Sequence, residues 1–215
     1  MLKYPLVPSL FILFVACYFY FYPKTIQSFI NNTMNNNNKD KQVILLGDSM
    51  LNNKKYVFEN ESVEYYLKQE YPHLNNLATD GAKMNDLNTQ LNKLKTMNIS
   101  KNSNLIISIG GNDLLDTQNV QKVFKQYKQL LADILREYPD IHIYLLNIYY
   151  PPCCRFKRYY NVITQWNNLL PSLKSSNIKI ILISEMLTEK DDFVFEIEPS
   201  NTGGQKIANK IMGIM

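Results

Sequence analysis

At 215 residues, with 46% hydrophobic and 20% charged side chains, the chain is long enough for one sizeable core and an appendage. Its 23 basic and 19 acidic side chains are spread along the sequence rather than gathered into a stripe, so no nucleic-acid partner is implied. The three cysteines, Cys17 and the adjacent Cys153 and Cys154, form neither a disulfide framework nor a zinc spacing, and no metal or organic cofactor is implied.

Leu6 to Tyr22 is an uncharged apolar stretch flanked by Lys3 and Lys24, at the short end of what crosses a bilayer as a helix. Its tyrosines and phenylalanines suit an interfacial aromatic belt. The expectation is a single-pass N-terminal membrane anchor over residues 1–24. A cleaved signal peptide competes with it, but no small-x-small cleavage pattern follows. Phe14-Val15-Ala16-Cys17 is only a faint lipoprotein box, and the flanking lysines barely decide orientation. Residues 25–41 include the run Ile30-Asn-Asn-Thr-Met-Asn-Asn-Asn-Asn-Lys-Asp-Lys41, too polar to bury anything, and read as a linker to a domain over 42–215.

Val43-Ile44-Leu45-Leu46 is an apolar run that stops at Gly47-Asp48-Ser49. Such a run suits a strand covered on both faces, as in parallel sheets, where sites collect beyond the strands' carboxyl ends. Val63, Tyr66 and Leu67 then fall at helical spacing, and Leu74 to Thr79 reads as a second strand leading into Asp80-Gly81. Met84, Leu87, Leu91 and Leu94 make one helical stripe. Leu105 to Ile109 is a third strand, closed by Gly110-Gly111-Asn112-Asp113. Val120 to Leu135 gives the best amphipathic helix, ended by Pro139. A fourth strand over Ile141–Ile148 precedes a helix through Val162, Ile163, Trp166 and Leu170. A fifth strand over Ile178–Ile183 and a last helix over Asn201–Ile214 complete the chain. This alternation predicts an α/β fold, a three-layer α/β/α sandwich on a five-stranded, mainly parallel, flavodoxin-like sheet.

Three strands thus end in small or polar residues on one predicted edge. A serine nucleophile needs donors aimed at the oxygen that becomes negative, and Ser49 N–H, Gly81 N–H and the Asn112 amide are candidates for that oxyanion hole. With these residues in order, the chain resembles the SGNH, or GDSL-type, hydrolase superfamily of esterases and acyl hydrolases, over about residues 42–215. The resemblance implies Ser49 as nucleophile, Gly81 and Asn112 as oxyanion donors, and an ester or acylated substrate. It also implies that Asp48 and Asp113 shape their turns.

The fourth block departs from that pattern. Where the superfamily carries Asp-x-x-His-Pro, this chain reads Phe195-Glu196-Ile197-Glu198-Pro199-Ser200, with Glu198 in the histidine's place and Phe195 in the aspartate's. It resembles a divergent branch ending Ile-Glu-Pro-Ser. His73 and His142 fall at the wrong ends of their strands to substitute. Glu198 is therefore expected as an atypical base, with about 3 kcal/mol less driving force than histidine before burial raises its pKa. Asp192 is a second carboxylate, either supporting the site or a loop residue near the start of the last helix. The aromatic and basic stretch Tyr149–Tyr160 is either a substrate or lipid contact or a solvated loop. Function follows as a membrane-anchored ester hydrolase; the alternative is a catalytically weak or inactive scaffold that binds an acylated ligand, and a third reading is an anchored structural protein.

Overall fold

The computed structural model describes residues 41–215, which form one compact unit. The expected transmembrane helix, residues 1–24, and all but the last residue of the expected linker, 25–41, fall outside the described residues. Among the described residues no helix is long and apolar enough to cross a membrane.

Five parallel strands build the sheet: β1 (Val43–Gly47), β2 (Leu74–Asn76), β3 (Asn104–Ser108), β4 (His142–Leu146) and β5 (Ile178–Ile181). Their order is β2-β1-β3-β4-β5, so the two strands that end in the candidate motifs, β1 and β3, lie side by side in the middle. Both are buried along their whole length, the reason they read as continuous apolar runs.

Successive residues point to opposite faces and divide the core in two. Ile44, Leu46, Leu105 and Ile107 pack with α2 (Leu87–Lys95), α4 (Val120–Glu137) and α5 (Tyr160–Leu169). Val43, Leu45 and Ile106 pack with α1 (Val63–Glu70) and α6 (Asn201–Met212). Trp166 of α5 is wholly buried, edge-on to Phe124 and 5.3 Å from the Tyr127 ring, and anchors the first layer. Side chains fix where three helices begin: Ser62 caps α1, Asn119 caps α4 and Ser200 caps α6, each accepting a backbone N–H.

Two elements differ from the sequence expectation. Gly110-Gly111-Asn112-Asp113, read as closing the third strand, leads directly into a short helix, α3 (Gly111–Thr117). Residues around Glu198 form a two-stranded antiparallel hairpin, β6 (Phe193–Val194) with β7 (Glu198–Pro199). Both are too short to carry a periodic signal.

β1 and β3 meet most tightly where β1 ends. Gly47 has φ +127°, and a Cβ there would lie 1.7 Å from the Ser108 carbonyl oxygen. The buried Gln90 side chain accepts from Gly47 N–H at 2.7 Å and donates to its carbonyl at 2.8 Å. Thr79 N–H donates to that same carbonyl. Gly47→Ala is expected to lower stability by about 3 kcal/mol or more, from backbone strain together with the clash against backbone that cannot yield. Urea denaturation of the variant beside wild type measures it.

Candidate active site

Asp48 N–H donates to the Ser108 carbonyl at 2.9 Å, which turns the chain off β1. Ser49 follows, 8% exposed, at the carboxyl edge of the sheet. Asp48 Oδ1 accepts from Met50 N–H and from the Ser108 hydroxyl, both at 3.1 Å, and this closes the turn around Ser49.

The second candidate lies on the loop after β2. Ala82 N–H donates to Thr79 O at 3.1 Å, making a turn over Asp80 and Gly81. Gly81 sits at its third position with φ +71°, the backbone that favours glycine there. The third candidate, Asn112, is in the first turn of α3. One of its amide N–H groups donates to Ala82 O at 3.0 Å, and Met84 N–H donates back to the Asp113 carboxylate. These bonds hold the Gly81 loop against the start of α3. Asn112 lines the pocket that Ser49 also lines, whereas Gly81 is exposed on its turn and is not part of the pocket wall.

Glu198 comes from the hairpin and reaches the same pocket. Tyr149, stacked on Phe193 with ring centroids 4.9 Å apart, donates its hydroxyl to the Ile197 carbonyl. Asn53, wholly buried, donates to the Pro199 carbonyl at 3.0 Å and accepts from Val63 N–H at 3.0 Å. Glu198 is thus gripped on both sides along the chain. The hairpin tip is strained, since neither Phe195 (φ +47°) nor Glu196 (φ +73°) is glycine. Glu196 pairs with Arg155 and accepts from the Cys153 thiol, while the Phe195 ring lies 5.8 Å from that of Tyr56.

Burial raises the Glu198 pKa, the negative charge of Asp80 raises it further, and the Ser49 hydroxyl lowers it. Glu198 Oε2 is buried with no hydrogen-bond partner among the described residues. Ser49 and Glu198 line the same pocket, and no hydrogen bond joins their side chains in this structure. Asp80 is itself held by the Tyr56 hydroxyl at 2.7 Å and Lys55 at 3.1 Å.

Asp192 is not brought into the pocket. It is fully buried, with Oδ2 accepting from Thr188 and Glu189 N–H and Oδ1 2.6 Å from Lys206 of α6. That arrangement pins the loop before the hairpin. His73 precedes β2, and His142 opens β4. Strand register pairs Leu74 with Val43 and His142 with Asn104, at the starts of β1 and β3, so both histidines occupy the opposite edge of the sheet.

The pocket is an open cleft of about 710 Å³, part of it continuous with solvent, and most of its wall is apolar, including Ile109, Leu114, Leu115, Ile148, Phe156 and Ile163. Phe156 and Tyr159 come from the aromatic, basic stretch, which folds inward against Ile163 as a small satellite core. Sequence reasoning missed Asn53, and named Tyr149 only as the start of the aromatic stretch without its role, for both belong to no motif and act through backbone carbonyls far along the chain.

A hydroxyl, a carboxyl of raised pKa and an amide around an apolar cavity, at the carboxyl edge of a parallel sheet, make a site suited to acyl chemistry. Residues 23–197 match the family described as GDSL-like lipase/acylhydrolase. The chain belongs to that family, within the SGNH superfamily. Among solved structures it is similar to a lipolytic protein of the G-D-S-L family from Veillonella parvula, with TM-score 0.68, 18% identity, and 81% of this chain and 98% of that one covered. The esterase EstA from Pseudoalteromonas sp. gives TM-score 0.63 and 18% identity over 81% of this chain and 96% of that one. The C-terminal catalytic domain of the peptidoglycan O-acetyltransferase OatA of Streptococcus pneumoniae gives 0.58 and 16% identity, with 80% and 91% covered. These likenesses concern the fold. No curated protein matches the sequence.

Asp48 carries a consequence for stability. Burial pushes its carboxyl from an ordinary 3.8 up to about 7, against the two hydrogen bonds it accepts, and the charge of Glu198 adds to the rise. Between those two values the folded protein holds a proton that the unfolded chain has released. Its contribution is thus fully present below pH 3.8 and is lost as pH rises through about 7. Asp48→Asn keeps an acceptor at this position, and should flatten the fall in stability over that window by a few kcal/mol, at about 1.4 kcal/mol per pH unit. Urea midpoints of both proteins at pH 4.5 and 8 give the difference; parallel pH dependences would contradict it.

Proposed function

We propose that the domain is a serine ester hydrolase in which Ser49 is the nucleophile and Glu198 the base. The observation that carries this reading is the meeting of the two side chains in one pocket, where burial has raised the pKa of the carboxyl. In this mechanism Ser49 Oγ attacks the ester carbonyl carbon as its proton passes to Glu198. Asn112 and the backbone N–H of Ser49 hold the oxyanion, and Gly81 N–H, on a turn outside the pocket wall, is the third candidate donor. Collapse expels the alcohol, which takes the proton from Glu198; water then attacks the acyl-serine as its proton passes to Glu198, and the second collapse breaks the Ser49 Oγ–acyl bond, releases the acid and returns that proton to Ser49 Oγ. Asp192 supports this indirectly, by fixing the loop from which the hairpin departs.

The substrate is an ester or acylated molecule whose acyl part is apolar, in keeping with the pocket wall. In the same reading residues 1–24 anchor the chain as a single-pass membrane protein and 25–41 tether the domain over 42–215, supported by the uncharged run Leu6–Tyr22 and the asparagine-rich stretch after it. A second reading, a weak or silent scaffold that binds an acylated ligand, is favoured by one specific observation: both histidines lie at the far edge of the sheet.

Hydrolysis of nitrophenyl esters between pH 4.5 and 8 separates the two. Ser49→Ala is expected to lower kcat/KM by about 10³-fold or more, and Glu198→Gln by about 10²- to 10⁴-fold. Wild-type activity should rise with pH through the raised Glu198 pKa, an acid limb lying above 4.5. A folded wild type with no Ser49-dependent turnover, and no labelling by a fluorophosphonate, selects the silent scaffold.

The apolar wall sets a further expectation for the active enzyme. Lengthening the acyl chain from acetate should raise kcat/KM by up to about fourfold per methylene until the pocket is full. Leu115→Trp, which fills the pocket, should abolish that gain while sparing the acetate ester. A flat chain-length profile in wild type would place the acyl group elsewhere.

A further inference from the structure

A second cleft opens at the other edge of the sheet, where the strands begin. It holds about 770 Å³ of open space, and among the described residues its lining contains three basic or imidazole side chains and no Asp or Glu. These are Lys41, just before β1, His142 at the start of β4, and Lys179 on β5. None of them forms a salt bridge with a described carboxylate. The Lys179 ammonium stands 5.6 Å from the Tyr144 ring centroid and makes one long contact, 3.4 Å, to the Ile214 carbonyl.

Asn104 is the telling residue. It opens β3, pairs across the sheet with His142, and is 2% exposed, yet its Nδ2 donor has no hydrogen-bond partner among the described residues. An unmet buried donor costs about 1–3 kcal/mol, and groups of that kind in native proteins call for a bound ion or water as explanation. Asn104 forms part of the wall of this cleft. A buried donor without an acceptor, beside two lysines that form no salt bridge among the described residues, is a built arrangement for an anion.

We propose that this cleft binds a phosphate group, with Lys179 and Lys41 supplying charge, the His142 ring a hydrogen bond and Asn104 Nδ2 a buried one. The tetrahedral anion offers acceptors in several directions, which suits donors arriving from three strands and the segment before β1. The space is ample for a phosphate monoester or diester as well as the free ion. This site lies at the opposite edge from Ser49 and does not depend on the ester hydrolase reading.

Calorimetric titration of the full chain tests it, with inorganic phosphate in one arm and dihexanoyl phosphatidic acid below its micelle concentration in the other. Saturable binding at one site is expected, weakened about tenfold in Lys179→Gln and in His142→Gln, the size of one charge-assisted hydrogen bond. Lys179 is exposed, so its variant keeps the fold, and ester hydrolysis by that variant should match wild type. Tighter binding of the lipid assigns the site to a headgroup, and equal or tighter binding of phosphate assigns it to the free ion. Absence of binding in wild type, or binding unchanged in both variants, overturns the proposal.

Discussion

The structure depends on the close approach of β1 and β3 at their carboxyl ends. Only a residue without a Cβ allows the Gly47 backbone to lie against the Ser108 carbonyl, and Gln90 then satisfies both polar groups of Gly47 from the neighbouring layer. The consequence is geometric. With the strands locked at this depth, Asp48 donates to Ser108 O and the chain turns so that Ser49 stands at the edge. The same β3 continues through Gly110 into α3, which carries Asn112. Ser49 and the Asn112 amide therefore inherit their separation from one sheet contact rather than from flexible loops.

Glu198 is placed by a different device, and a costlier one. Its hairpin is short and turns through two non-glycine residues of positive φ, so it has little stability of its own. Contacts from the rest of the domain hold it: Tyr149 on Ile197, Asn53 on Pro199, and the Glu196 pair with Arg155 at the tip. Asp192 and Lys206 fix the loop from which it departs. A carboxylate on such a support can be held where solvent would otherwise draw it out, and strain at the tip is what rigid placement costs.

Much of the fold was legible in the sequence because its strands are buried on both faces. Val43–Leu46 and Leu105–Ile107 announce themselves as unbroken apolar runs, and the stripe from Val120 to Leu135 could only be an amphipathic helix. The edge to which Ser49 and Asn112 belong followed from strand direction alone. The hairpin around Glu198 was not legible, since two-residue strands leave no period. Nor were Asn53 and Tyr149, whose partners are backbone carbonyls 146 and 48 residues away. Asp192 illustrates the limit from the other side: a carboxylate six residues before Glu198 looks like an accomplice until its partners prove to be Lys206 and two backbone amides.

The replacement of histidine by glutamate also changes the electrostatics of the whole edge. A histidine base passes from neutral to cationic as it takes a proton, and anionic neighbours then stabilise it. Glutamate passes from anionic to neutral, so anionic neighbours favour the protonated product only by making the charged form harder to hold. Asp80 does this to Glu198, and Glu198 does it to Asp48. Three carboxyl groups near one small pocket cannot all carry full charge at low cost. Asp48, the most deeply buried, is the one that keeps its proton to about pH 7. The raised pKa of Glu198 is owed first to burial and then to crowding with like charge, with no aspartate partner of the kind that supports a histidine.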